Sequence, residues 1–572
     1  VSFGVNKKAL SAHILSYWLF DMNSLRFAAK KKEFSLRNGV NSIRWISWKR
    51  EFPASTESVN ELTSKYLVNI LNSQVYKVAD ETPLTFAPSL STELDNEIYL
   101  KREDTQPVFS FKIRGAYNKI ASLNQEQLSK GVVTCSAGNH AQGVALSSSR
   151  SGINATIVMP EATPQIKVKA VKRFGGKTVK VLLHGQNYDE AAAEAKRLAG
   201  TGLTMVHPFD DSFVIAGQGT IGMEILKNLN GRQLDAIFVC CGGGGMLAGI
   251  AAYIKAVRPE VKVIGVEAED AAGMTSSLQE GKVVTLPTVG LFADGAAVRT
   301  VGAETFRVCR DLVDEMVTVG TDEICSAIKT GFNDTRCVME PAGALAIAGV
   351  TKYVSENKIT GKTFVAITSG ANMDFDRLRF VSERADSSET ILSVTISEEP
   401  GSFRKFYKVF HPRNVTEFSY RFNSSKVANI IMSYQAPTGT VVETDKLEMI
   451  EKLRLNGYGV TDLSGNELAK VHVRHLGGGR KPLVSGDELG LLENCEELIY
   501  RFEFPEAPGA LDKFLHTLNH FNHKNWSISL FHYRNHGDDF GRVLVGLLVK
   551  TEDKKEFNDF LHKLGYKYYD ET

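Results

Sequence analysis

The amino-acid sequence predicts an α/β protein with open, mostly parallel sheets, followed by two small α+β units. Three observations carry that prediction. Short apolar runs alternate with helical patterns from Leu67 to about Ala385. Several runs are nearly unbroken Val, Ile and Ala, as strands buried on both faces read. After Ala385 the composition shifts and an internal repeat begins.

In chain order, the strand candidates are EIYLK from Glu97, GVVTCS from Gly131, ATIVMP from Ala155, AIFVCC from Ala236, VKVIGVE from Val261 and TFVAITS from Thr363. Helical patterns lie between them, such as YDEAAAEAKRLAG from Tyr188 and MLAGIAAYIKAV from Met246. In SFKIRGAYN, Ile113, Ala116 and Tyr117, with Ile120 beyond, fall at i, i+3, i+4 and i+7, a core-facing stripe. This alternation gives an open parallel sheet whose ligands collect at the carboxyl ends of the strands.

The repeat follows DSSET, which reads as a hinge. One copy runs ILSVTISEEPGSFRKFYKVF and then VTEFSYRFN; the other runs LIYRFEFPEAPGALDKFLHTL and then SISLFHYRNHG. Each is an alternating strand, a Pro-Gly turn (Pro400-Gly401, Pro508-Gly509), an amphipathic helix, and a strand ending in Tyr-Arg. Two βαβ units with matched turns predict two similar α+β domains. LGGGRKP from Leu476 reads as the linker between them.

The bulk numbers bound the function. The 572 residues suffice for several domains, roughly three or four at ~150 residues each. Residues 1 to 50 hold ten Lys/Arg against Asp21 and Glu33, a balance of +8, so the other 522 residues sum to −7 under a net charge of +1. A slightly acidic body argues against nucleic acid as a partner. The basic, Ser-containing, acid-poor leader fits an organelle transit peptide. The seven cysteines are scattered without a CxxC, which suits a reduced compartment and gives no zinc pattern. No apolar run is long enough to span a membrane.

Three strand–loop–helix junctions carry chemistry, and all are expected in one sheet. CSAGNHAQG (Cys135 to Gly143) has small residues Ser136, Ala137 and Gly138 that leave N–H groups uncovered at a helix start, a ready anion site. CCGGGGMLAG (Cys240 to Gly249) has four consecutive glycines, whose ordering cost makes sense where backbone must approach a phosphate. It has a rival reading: Gly243, Gly245 and Ala248 satisfy G-x-G-x-x-G/A, and Glu267 ends a strand 22 residues after Gly245, a dinucleotide fingerprint. ITSGANMDF (Ile367 to Phe375) sets Thr368 and Ser369 at a strand end. Lys112, in the first turn of its helix beside Phe111, reads alone as a solvated charge. Beside a phosphate cradle and a strand-end hydroxyl it becomes a candidate amine for pyridoxal 5'-phosphate, which requires a depressed pKa and partial burial.

Together, SFKIRGAYN, SAGNHAQGVA, GGGGMLAGI and SGANMDF resemble the biosynthetic threonine dehydratase family, within the tryptophan-synthase-β-like (fold-type II) pyridoxal phosphate enzymes. The resemblance runs from about Leu67 to Thr572, and the repeat is similar to that family's paired ACT-like regulatory domains. It implies a leader over 1–60, a catalytic domain over 61–385, and ACT-like domains over 386–480 and 490–572. It implies Lys112 as the Schiff-base lysine, Asn139 beside the ring hydroxyl, Gly242, Gly243, Gly244, Gly245 and Met246 around the phosphate, and Ser369 at the ring nitrogen. The loop Ser136, Ala137, Gly138, Asn139 and His140 looks like the clamp for the substrate carboxylate. Met246 stands where leucine is common, and Ala342 where serine is. In related racemases a divalent ion sits near the segment reading VEAEDAAG, where the usual later Asp is Gly273, so no metal is expected.

The implied activity is PLP-dependent conversion of L-threonine, with L-serine a possible second substrate, to the 2-oxo acid and ammonia, the first committed step of isoleucine biosynthesis. Isoleucine inhibits through the repeat domains, valine possibly opposing it, with Gly401, Tyr420, Gly509 and Tyr533 as expected contacts. A homotetramer in the mitochondrial matrix or plastid stroma is implied, with no nucleic-acid or membrane partner. The alternatives are a serine dehydratase or racemase of the same fold, an NAD-dependent amino-acid dehydrogenase, and a catalytically dead amino-acid sensor.

Overall fold

The structure, a computed structural model, describes residues 58–375, 377–385, 389–397, 399, 401–411, 413–421, 427–437, 440, 442–466, 495–505, 510–521, 526–534 and 540–572. The leader up to residue 57, the hinge at 386–388, the linker from Leu476 and the turn residues Pro400, Pro508 and Gly509 lie outside them. Within the span expected for the leader, helix α1 (Val59–Leu71) already begins, closed by a capping box between Ser58 and Glu61.

Each expected strand forms. Their pairing differs from the expectation: the strands build two sheets rather than one. The first has six strands in the order β1 (Leu84–Phe86), β2 (Glu97–Lys101), β10 (Thr363–Ile367), β7 (Ala236–Cys240), β8 (Lys262–Ala268) and β9 (Glu315–Val319). All its pairs are parallel except β1–β2. The second is all parallel, in the order β5 (Val179–Leu183), β4 (Ala155–Met159), β3 (Val132–Cys135) and β6 (Thr204–Met205), and has apolar cores of its own. The chain leaves the first sheet after β2, builds the second, and returns at β7. Buried parallel strands read alike in sequence, so composition does not reveal which strand pairs with which. The consequence is functional. The Cys135 junction belongs to the four-stranded lobe, whereas the Cys240 and Ile367 junctions belong to the six-stranded one.

Helix α2 (Lys112–Ala121) packs against α3 (Asn139–Ser151) of the smaller lobe and against α4 (Ser212–Leu229). Its expected stripe is buried, but so are Arg114, Gly115 and Asn118. Glycines let the helix backbones approach. A Cβ on Gly217 would lie 2.8 Å from the Gly115 Cα, and one on Gly219 would lie 2.9 Å from the carbonyl of Gly249 in α5 (Gly245–Val257).

Each C-terminal copy is longer than the expected βαβ unit. The first contains β11 (Glu389–Ser397), α8 (Ser402–Phe410), β12 (Asn414–Arg421), β13 (Val427–Gln435), a helix over Val442–Leu455, and β14 (Gly459–Asp462). The second contains β15 (Cys495–Pro505), α10 (Ala510–His520), β16 (Ser527–Arg534), β17 (Phe540–Lys550), a helix over Lys554–Leu564, and β18 (Lys567–Asp570). The copies share one eight-stranded antiparallel sheet. They join where β12 pairs with β16, setting Phe418 opposite Tyr533 and Tyr420 opposite Phe531. No helix of the described residues is long and apolar enough to cross a membrane.

Candidate active site

Lys112 is the first residue of α2, behind Phe111. Its side chain is half-buried, with the Nζ 5.2 Å from the centre of the Phe111 ring. Nζ donates to the Pro208 carbonyl at 3.0 Å and makes no carboxylate ion pair among the described residues. Burial pushes the amine down to about 8, because an ammonium there loses water without gaining a counter-ion. At pH 7 that raises the uncharged fraction from about 1 in 3,000 to about 1 in 10.

The glycine junction follows the end of β7. Gly244 has φ 91°, a left-handed conformation that suits glycine, and α5 begins at the next residue. The backbone N–H groups of Gly242, Gly243, Gly244, Gly245 and Met246 find no acceptor among the described residues. The glycines also fit their own walls. A Cβ on Gly242 would stand 2.9 Å from the Ala296 carbonyl, and one on Gly243 would enter the Phe209 ring. Thus protein packs against the side-chain side of the loop, while its unpaired donors form an anion cradle at a helix N-terminus. Ser369 is buried at the end of β10, and its Oγ donates to the Ala342 carbonyl at 3.1 Å.

The Ser136–His140 turn comes from the other lobe. Gly138 is open: a Cβ there would meet nothing within 4 Å. The N–H groups of Ala137, Asn139 and His140 have no acceptor among the described residues, whereas that of Gly138 bonds Ser136 Oγ at 3.3 Å. His140 enters this turn through its backbone, because its side chain is engaged elsewhere. Its imidazole is buried, with Nε2 2.9 Å from the Val206 carbonyl. That carbonyl can only accept, so Nε2 carries the proton and Nδ1 is a bare acceptor without a partner among the described residues. Burial and the nearby Lys112 amine push the ring down to about 3. It stays neutral, so His140 can offer a carboxylate its backbone N–H but no positive charge.

Asn139 shows partners that the sequence analysis did not identify. Its Nδ2 donates to Glu340 Oε1 at 2.6 Å, and its Oδ1 accepts from Asn372 Nδ2 at 2.8 Å. Glu340 precedes helix α7 (Pro341–Asn357), and burial raises its carboxyl to about 7. An acidic residue before a helix-starting proline was visible in EPAGA and was the available signal. Lys167, in the smaller lobe, reaches across to Asp294 at 2.8 Å. Glu267, which the dinucleotide reading required at a ribose, is instead engaged within the fold. Its buried carboxyl accepts from the N–H groups of Met274 (2.8 Å) and Thr275 (2.9 Å) and from the Thr275 hydroxyl (2.7 Å), closing the start of the helix Gly273–Glu280.

Gly401, φ 85°, starts α8 and lines a cavity between the two C-terminal copies, with Phe403, Leu518 and Trp526. Tyr420 is buried and does not line it; its ring meets Phe403 edge-on at 4.7 Å. Tyr533 is half-buried on β16, and Gly509 lies outside the described residues.

An amine without a counter-ion and five N–H groups without an acceptor among the described residues, with a strand-end hydroxyl, are a donor set that fits a phosphate-bearing aldehyde. Comparison with known proteins agrees. Residues 76–370 match the model of the pyridoxal-phosphate dependent enzymes, and residues 381–473 and 488–572 match the C-terminal regulatory domain of threonine dehydratase. The chain is 52% identical over 511 residues to the biosynthetic L-threonine dehydratase of Burkholderia multivorans, covering 89% of this chain and 97% of that one. It is 48% identical over 524 residues to the mitochondrial threonine dehydratase of Saccharomyces cerevisiae, covering 89% and 88%. Among solved structures, the processed form of threonine deaminase isoform 2 from Solanum lycopersicum superposes with a TM-score of 0.56 at 50% identity, over 58% of this chain and 90% of that one.

Proposed function

The chain belongs to the pyridoxal-phosphate-dependent enzymes that carry the C-terminal regulatory domain of threonine dehydratase, and on that premise we propose that Lys112, the Gly242–Met246 loop and the Ser136–His140 turn form its catalytic centre. The protein is a threonine ammonia-lyase: it converts L-threonine to 2-oxobutanoate and ammonia on the route to isoleucine. Pyridoxal 5'-phosphate supplies an aldehyde for amines and a ring that draws electrons from the substrate α-carbon.

The chain's own residues do the rest. The free N–H groups of Gly242 to Met246 would hold the phosphate, with Asn139 set for the ring hydroxyl and Ser369 for the ring nitrogen. Lys112 is the covalent anchor. Its free Nζ would serve as the base for the substrate α-proton, a role its depressed basicity allows near neutral pH. The amides of Ala137, Asn139 and His140 orient the substrate carboxylate, with Gly138 leaving room beside them. A neutral hydroxyl at the ring nitrogen does not enforce ring protonation as a carboxylate would, which favours elimination over transamination.

The observation that carries this reading is the half-buried Lys112 with a carbonyl as the hydrogen-bond partner of its amine. Its test is the visible-edge absorbance of the purified protein with and without threonine, beside a Lys112→Ala protein. The substitution should abolish the cofactor band's response and reduce turnover to background. Wild-type turnover by Lys112→Ala would refute it, and a protein with no such band would return the dinucleotide reading.

We further infer that the small-molecule effector of the regulatory domain is isoleucine, opposed by valine, and that it binds between the two C-terminal copies. Gly401 stands in the wall there, with Tyr420 behind Phe403. Isoleucine titrated into threonine turnover should inhibit sigmoidally and valine should relieve the inhibition. A homotetramer in the mitochondrial matrix or plastid stroma completes the reading. The mitochondrial name of the yeast relative and the basic leader support the organelle.

A further inference from the structure

Reversing an asparagine amide end for end exchanges a donor for an acceptor with almost no change in shape. A catalytic asparagine therefore needs something that fixes which way it faces. In this protein the deciding group is a backbone carbonyl. The oxygen of Val108, four residues before Lys112, can only accept. Asn372 Nδ2 lies 2.8 Å from it and 2.8 Å from Asn139 Oδ1. Asn372 must present its NH₂ to Val108, so its second N–H meets Asn139, and the atom it meets must be oxygen. Asn139 Nδ2 is thereby turned to Glu340, 2.6 Å from Oε1. One of its two N–H bonds is spent there and the other is not.

Four segments meet in this chain: the approach to α2, the first residue of α3 in the smaller lobe, the residue before α7, and the turn after β10. Gly370 makes the last junction possible, because a Cβ on it would collide with Glu340 Oε1. The Glu340 N–H is also tied to the Gly370 carbonyl at 3.2 Å. The SGAN motif thus carries two devices, Ser369 at the strand end and Asn372 as the first amide of the relay.

We propose that Asn372 and Glu340 are positioning residues: together they fix the Asn139 amide so that its remaining N–H is kept for the ring hydroxyl of pyridoxal phosphate. This rests on the reading of Asn139 given above. Asn372 supplies the direction and Glu340 the acceptor, and neither needs to touch substrate.

The test uses the full chain as wild type, Asn139→Ala, Asn372→Ala, Glu340→Ala, Glu340→Gln and the Asn139→Ala/Asn372→Ala double variant. Cofactor affinity is read by titrating apo protein with pyridoxal phosphate, alongside the absorbance maximum of the bound cofactor; melting curves of the apo proteins check folding. Asn139→Ala, Asn372→Ala and Glu340→Ala should share one signature, affinity weakened roughly tenfold and the same displaced band. Glu340→Gln keeps an acceptor oxygen and should stay within about twofold of wild type, rescuing the alanine variant. In the double variant the Asn372 substitution should add nothing. Wild-type cofactor behaviour in Asn139→Ala would refute the reading of Asn139. The signature in Asn139→Ala but not in Asn372→Ala or Glu340→Ala would overturn the relay alone. So would additive losses in the double variant, or Glu340→Gln as impaired as Glu340→Ala.

Discussion

Lys112 occupies a position where its sequence neighbours alone say little: a lysine beside a phenylalanine in an amphipathic turn. What makes it reactive is what surrounds it, a carbonyl at 3.0 Å and no carboxylate partner among the described residues. The sign of the resulting pH dependence follows directly. Only the uncharged amine attacks a carbonyl carbon, and burial lowers Lys112 to about 8. The rate of cofactor uptake by the apo protein should therefore climb about tenfold per pH unit below that value and level off above it. Stopped-flow absorbance would show a lysine of ordinary basicity as a rate still climbing at about pH 10. Gly370 offers a second prediction at this scale. Its substitution by alanine adds a Cβ where Glu340 Oε1 lies, so Gly370→Ala should reproduce the weakened cofactor affinity of Glu340→Ala with Ser369 untouched. Both glycine and asparagine were legible in SGANMDF as a turn. Their division of labour was not, because it depends on Glu340, thirty positions earlier in sequence and in contact only after folding.

At the scale of elements, the segments were readable and their neighbours were not. Strand runs and the apolar stripe of α2 follow from local periodicity. Arg114, inside SFKIRGAYN, lies outside that stripe, yet it is 0% exposed. Its guanidinium bonds Glu103 through Nε and Nη2 (both 2.8 Å) and Glu224 through Nη1 (2.5 Å) and Nη2 (2.9 Å). Lys101 donates to Glu224 and to the Thr82 carbonyl, both at 2.6 Å. Two cations and two carboxylates balance inside the core, joining α2 to α4 and β2 just beyond Lys112. A buried pair gives little net stability compared with an apolar substitute, but removing one partner strands the others. Glu224→Ala leaves Lys101 without its ion pair and Arg114 with one of its two carboxylates. It should cost about 3–5 kcal/mol in chemical denaturation, with Lys112 displaced as its helix start loosens. A loss of about 1 kcal/mol or less, the size of an exposed pair, would show that water reaches the network.

Across the whole molecule, the repeat predicted two similar α+β domains, and in the fold both copies contribute to one sheet and one core. The reason is an edge. β12 and β16 would each leave a row of unpaired N–H and C=O groups if the copies stood apart, and pairing them removes both edges at once. No residue pattern announces this, because an edge strand and a paired strand alternate alike. The side chains follow the backbone: Phe531 of the second copy meets Phe418 of the first at 5.4 Å and Phe514 of its own copy at 5.9 Å. An effector bound, as proposed, at the cavity between α8 and α10 would therefore act on one cooperative unit rather than on two sensors, the kind of shared element that coupling between sites requires. Cooperativity of this kind can be measured. Phe531→Ala should destabilise the C-terminal sheet by about 3–5 kcal/mol. Native-state hydrogen exchange should then show protection falling in β11 to β13 of the first copy together with β15 to β17 of the second. Protection lost in the second copy alone would mean that the two units open independently and that the strand pairing joining them carries no coupling. In that case an effector seated on one copy would have to reach the catalytic lobes without the help of the other.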